Sequence, residues 1–166
     1  WEITTAFVWW NWQAGNMFDI DILWTPLEIN AISVNTQNAN WTIRVYYREW
    51  YYAWFENSSV WWDLVWDYSY IGAWSNTPTF IDIDDISFNA NTSYALYVTD
   101  ISWWWIRYTN WTAEWSIFTE NSHIQIREGI WKSFEFASTF RPRIWNWTLH
   151  YSFTSEPIDE TPPSIE

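Results

Sequence analysis

The sequence predicts an all-β domain: an antiparallel β-sandwich, jelly-roll or Ig-like, of roughly nine to ten strands. Three observations carry this expectation. Thr, Ile, Val, Tyr, Phe and Trp are abundant while leucine is scarce, a composition that suits half-buried pleated strands. Apolar and polar residues alternate in successive short runs, and no window of helical length sustains a 3.6-residue period. The chain has 166 residues, 49% of them hydrophobic, which is enough for one sizeable core without a second.

The runs follow one another along the chain. Residues 16–23 set Phe18, Ile20 and Ile22 against Met17, Asp19 and Asp21. The run 27–35 slips phase between Ile29 and Ile32, as a bulge would cause. From Thr42 to Arg48 the pattern places Ile43, Val45 and Tyr47 on one face and Arg44, Tyr46 and Arg48 on the other. Further strands are expected at 62–71, 78–88, 92–100, 106–109, 123–130 and 133–137. In the last, 143–153, Trp145, Trp147, Leu149, Tyr151 and Phe153 alternate with Asn146, Thr148, His150 and Ser152. Residues 1–154 are therefore expected to form the sandwich. Residues 155–166 hold three of the six prolines and no strand pattern, and are expected to be an acidic Pro-rich linker towards a following Ig-like domain. The opening Trp1-Glu2-Ile3 carries no basic or apolar leader, so an interior fragment of a longer chain is expected.

Charge narrows the partners. Seven basic against 20 acidic residues give a net charge of -13. Such a surface repels phosphate backbones and anionic lipid, so nucleic acid is not an expected partner. No apolar run is long enough to span a bilayer, and direct membrane insertion is not expected. Cysteine is absent, which excludes a disulfide framework, a thiolate metal site and a cysteine nucleophile.

The balance of tryptophan and glycine is unusual. The chain holds 20 Trp and 3 Gly, where about twelve glycines would be ordinary for its length. Trp12, Trp41 and Trp111 each follow Asn, although Asn-Gly is the stronger turn signal because both residues take positive φ. Trp9-Trp10 and Trp103-Trp104-Trp105 lie in loop-like stretches. Some bacteria read the UGA codon as glycine, so a Trp/Gly recoding would produce this pattern. Trp12, Trp41 and Trp111 are then expected at exposed turns, often with positive φ, and Trp62 and Trp145 in the core. Trp147 fits either reading. The alternative is a literally Trp-rich domain with aromatic platforms for glycans.

With glycine read at the suspect positions, several segments resemble a known module. They are Gly15-Asn16-Met17-Phe18-Asp19-Ile20, Val45-Tyr46-Tyr47-Arg48-Glu49, Trp54-Phe55-Glu56, Trp62-Asp63-Leu64-Val65 and Tyr94-Ala95-Leu96-Tyr97-Val98-Thr99. Arg107-Tyr108-Thr109-Asn110 and Ser138-Thr139-Phe140-Arg141-Pro142-Arg143-Ile144-Trp145-Asn146 complete the set. Taken in order over residues 3–152, the chain resembles a recurring, poorly characterised β-sandwich module of bacterial secreted and cell-surface multidomain proteins. The resemblance implies an extracellular, cell-surface setting with flanking domains of the same polypeptide as partners. It brings no catalytic residues.

Candidate sites are few. Tyr46, Arg48, Trp50, Tyr51 and Tyr52 form an aromatic-basic cluster able to stack a sugar ring or a partner side chain, although an ordinary strand and hairpin explain the same letters. Asp82, Asp84 and Asp85 are the calcium candidates, since clustered carboxylates supply oxygen ligands; a wet strand face alternates in the same way. No other cofactor is expected. His123 and His150 fall on polar strand faces and are expected at the surface. No nucleophile elbow, zinc helix or phosphate loop occurs. The expected function is a non-catalytic structural or adhesive module. A carbohydrate-binding module and a glycoside-active enzyme domain are the alternatives, with a surface glycan or a host or cell protein as the outside partner.

Overall fold

A computed structural model describes residues 1–6, 11–103 and 106–154. The described chain is all-β: antiparallel strands form two sheets, packed face to face as in a sandwich. Strands are numbered in chain order. The smaller sheet runs β1 (Glu2–Thr4), β14 (Thr148–Phe153), β4 (Leu27–Asn35), β7 (Pro78–Phe88). The larger runs β2 (Asn11–Gln13), β9 (Ile106–Asn110), β13 (Thr139–Trp145), β12 (Gly129–Lys132), β3 (Gly15–Ile22), β8 (Thr92–Asp100), β5 (Asn40–Glu49), β6 (Asp63–Ile71). Beside β12, β11 (Ile124–Arg127) takes the other half of the same β3 edge, and β10 (Ile117–Glu120) pairs with β11.

Among the described residues, fourteen strands replace the nine to ten expected, for local reasons. The run 123–130 divides at Glu128, whose carboxylate turns away to accept the backbone N–H of Ala113. The run 143–153 divides at Asn146-Trp147. Three short strands, β1, β2 and β10, are too brief to show alternation. The expected strand 133–137 is instead a turn: Ala137 N–H donates to Phe134 C=O, and Phe136 has a φ of 53°. The expected bulge in 27–35 is present, because register shifts at Asn30 against both neighbouring strands.

The main core lies between the sheets. Phe18, Ile20, Ile43, Val45, Leu96 and Val98 of the larger sheet meet Ile29, Ile32, Ile81, Ile83, Phe88 and Leu149 of the smaller one. Trp145 stacks on Phe18 at 4.5 Å between centroids, as its strand pattern predicts.

A second apolar cluster sits on the outer face of the larger sheet, where strand alternation predicts water. Met17, Tyr46, Ala95, Tyr97 and Ile130 face outward there. The segment 50–62 between β5 and β6 folds back over them, burying Tyr52 and Trp62, and Phe136 of the 134–137 turn closes one side. Trp62 is fixed by donating its indole N–H to Phe55 C=O at 2.9 Å. Beneath this cover, charged side chains from several strands converge.

The histidines are packed rather than solvated. His123 lies among Trp1, Tyr151 and Phe153, while His150 lies 2.9 Å from the Ser33 hydroxyl and packs edge-on against Phe80. Burial lowers the His150 pKa.

Candidate functional site

The covered outer face gathers polar groups from β3, β12, β13, the 50–62 cover and the 111–116 turn. Asp19 is central. It points away from the main core, as β3 alternation requires, yet the cover removes it from water entirely. One of its carboxylate oxygens accepts the backbone N–H of Tyr52 at 2.9 Å; the other has no hydrogen-bond partner among the described residues. Burial pushes the Asp19 carboxyl up to about 7; the Tyr52 hydrogen bond and Arg127 oppose this, and Asp21 and Glu114 add to it.

Around Asp19 the charges are paired across the join between cover and sheet. Arg141 on β13 holds Glu56 of the cover at 2.5 Å and also holds Glu114. Tyr52 donates its hydroxyl to Glu114 at 2.7 Å, and burial with that contact raises its pKa far out of the working range. Lys132, fully buried on β12, donates to Asn57 of the cover at 3.0 Å and to Thr139 at 2.7 Å. Its ammonium is lowered to about 8, burial being the chief cause. Asp21 is held by Arg127 at 2.7 Å and by the Ser93 hydroxyl at 2.5 Å.

The five aromatic-basic candidates divide between the inside and the outside. Tyr46 and Tyr52 belong to the second apolar cluster; Tyr46 stacks on Tyr97 and donates its hydroxyl to Glu135 at 2.5 Å. Arg48 lies with its guanidinium carbon 3.4 Å from the Phe55 ring centroid, so it clamps the cover by cation–π contact. Trp50 and Tyr51 reach solvent. Tyr51 lines a cavity of about 300 Å³ with Ala53, Trp115 and Arg127. A second cavity, of about 210 Å³, lies between Trp54, Trp115, Glu56 and Arg141. The structure thus brings Tyr51 together with Trp54 and Trp115, which strand periodicity does not join to it. It also adds Asp19, Glu56, Glu114, Lys132 and Arg141, whose convergence depends on a cover that has no signature in that periodicity.

Asp82, Asp84 and Asp85 lie elsewhere, exposed on β7 of the smaller sheet. Asp84 accepts the Tyr68 hydroxyl at 3.1 Å, and no group of three or more His, Cys, Asp or Glu side chains gathers as a metal site among the described residues.

At the edge of the same face as Asp19, Arg44 forms a two-bond pair with Asp67 at 2.6 and 2.7 Å and reaches Glu135 at 3.1 Å. About a quarter of its side chain is exposed (27%), so solvent screens the pair. Arg44→Met is accordingly expected to cost no more than about 1 kcal/mol in urea unfolding, although its bonds to both carboxylates disappear.

The class defined by fold and site is therefore an antiparallel β-sandwich whose larger sheet carries a pinned, charge-lined cover. No protein-family model matches the chain, and no curated protein matches it.

Proposed function

We propose that this chain is a non-catalytic structural or adhesive module of a secreted, cell-surface bacterial protein. The observation that carries the reading is how the charged groups under the cover are used. Glu56, Glu114, Arg141 and Lys132 bind one another or neighbouring polar groups across the join between cover and sheet. A hydrolytic site needs an acid and a base facing open volume where a substrate bond can lie. Here Glu56, which lines the smaller cavity, is held by Arg141, and Glu114 by Arg141 and Tyr52, so both carboxylates are used to fix the cover. Their chemistry is that of a clasp.

The acidic surface and the likeness to secreted modules support the extracellular setting, with flanking domains of the same polypeptide as the first partners. The test is an assay of the purified chain on a panel of chromogenic glycosides. No release is expected. Release that Glu114→Gln or Glu56→Gln abolishes, with the fold intact by circular dichroism, would overturn the reading in favour of a glycoside-active domain.

One observation favours a second reading, a carbohydrate-binding module. Tyr51, Trp54 and Trp115 wall the two adjoining cavities beside Ala53, and aromatic walls are what a sugar ring stacks on. A glycan array discriminates the two readings: binding lost in Tyr51→Ala selects the second.

A further inference from the structure

Among the described residues, seven other than glycine have positive φ: Trp50, Trp54, Asn76, Asn91, Trp103, Trp115 and Phe136. None of the three glycines does. This inverts ordinary usage, since positive φ is cheap for glycine, tolerable for asparagine and an outlier for a bulky side chain.

The turns make the contrast sharper. Phe55 N–H donates to Tyr52 C=O, which puts Trp54 third in a four-residue turn, with a φ of 75°. Ser116 N–H donates to Ala113 C=O, which puts Trp115 in the same place with a φ of 69°. A type II turn requires positive φ at that position, and glycine or asparagine normally supplies it. The chain contains its own control: Thr77 N–H closes the same turn on Trp74 C=O, and the third residue there is Asn76. Phe136 occupies a fourth such turn, but its ring is packed against Tyr46, Tyr97 and Trp62, so burial offsets the strain.

The four tryptophans have no comparable burial. Trp50, Trp54 and Trp103 are 65%, 92% and 72% exposed, and Trp115 is 48% exposed. Only Trp103 has a ring partner among the described residues, Phe134 at 4.6 Å. Two of them have engaged main chains by contrast: Trp50 N–H donates to Ser93 C=O, Trp115 N–H to Glu128 C=O, and Trp115 C=O accepts from Arg127. At positions 50 and 115 the fold uses the backbone and leaves the indole over, and at 54 it uses only the turn.

We infer that glycine, not tryptophan, stands at positions 50, 54, 103 and 115 when this gene is translated in its own organism. The inference is confined to these four. Trp41, expected at an exposed turn, is buried on β5 with its indole N–H donated to Gln37 C=O, and Trp147 is buried against Trp145. Trp12 and Trp111 are exposed as expected, but neither has positive φ, and Trp12 lies on strand β2 paired with Arg107 instead of at a turn. Trp9, Trp10, Trp104 and Trp105 lie outside the described residues. The inference bears on both readings: the resemblance behind the module reading takes glycine at such positions, Trp54-Phe55-Glu56 among its segments, whereas in the second reading glycine at 54 and 115 removes two aromatic walls from the cavities beside Ala53.

The deciding experiment is tandem mass spectrometry of peptides spanning the four positions, from protein made by the source organism. Glycine at all four is expected, with UGA in the gene; tryptophan at any of them overturns the inference there. A second measurement tests its physical premise on recombinant chain. Trp54→Gly and Trp115→Gly are expected to melt roughly 2–4 °C above Trp54→Ala and Trp115→Ala. Both substitutions remove the indole, but only glycine removes the Cβ. Trp12→Gly should show no such advantage over Trp12→Ala. Equal melting of the Gly and Ala variants at 54 and 115 would remove the premise and the inference with it.

Discussion

Asp19→Asn is expected to stabilise the protein at pH 8 by about 2–4 kcal/mol and to flatten its stability between pH 4 and 7. The cause is a carboxyl under the cover whose pKa is pushed up to about 7, mainly by burial. Below about pH 4 the group is protonated in both folded and unfolded chains and contributes no pH dependence. Between about pH 4 and 7 the unfolded chain has released this proton while the folded one keeps it. Stability therefore falls as pH rises through that window, by about 1.4 kcal/mol per unit at most. Above 7 the full cost of a buried anion remains. Asparagine keeps an oxygen for the Tyr52 N–H and carries no charge. The net charge of -13 also favours lower pH, so the comparison must be between variant and parent at each pH. Urea midpoints at pH 5 and pH 8 provide it. A parent-minus-variant difference that is the same at both pH values would show that Asp19 does not titrate in this range.

Tyr52→Ala should be the most damaging single change in the cover, costing about 3–5 kcal/mol. Tyr52 is fully buried, its N–H holds Asp19, and its hydroxyl reaches Glu114. Truncation empties an aromatic-sized space beside Met17, Tyr97 and Trp62 and leaves Glu114 with Arg141 alone. Tyr52→Phe should cost only about 1 kcal/mol, since it removes one hydrogen bond and no packing. Hydrogen exchange separates loss of the cover from loss of the fold. In Tyr52→Ala, amides of 50–62 should lose protection while those of β3 and β8 keep theirs. Uniform loss across both sheets would mean that the cover and the sandwich unfold as one unit.

The strands that show plainly in the sequence are those whose two faces see different surroundings. In β7, Ile81 and Ile83 are buried while Asp82 and Asp84 are exposed, and the alternation reports this directly. The phase slip at Asn30 is visible for the same reason, because a bulge turns every later side chain to the other face. Along β3 the code is ambiguous. Asp19 carries the polar letter of a wet face, but the cover that buries it comes from residues more than thirty positions away. In Phe134-Glu135-Phe136 the alternation mimics a strand, although a turn with positive φ produces it. The tryptophans mislead in part too: Asn-Trp at 40–41 carries a turn's letters but lies on a strand. The candidate site is legible only as its separate aromatic and acidic letters, since it exists through contacts between segments distant in the chain.

The pairing of β1 with β14 has a mechanical consequence. Glu2 lies opposite His150, Tyr151 N–H reaches Trp1 C=O, and the Trp1 ring packs on Phe153, so the start of β1 and the end of β14 lie side by side at one edge of the smaller sheet. A tensile load on those two ends would meet the β1–β14 hydrogen bonds one after another, like a zip, whereas a shear geometry would load them together. Pulled by those two strands, such a sandwich is poorly suited to bearing force, because its bonds part singly instead of together.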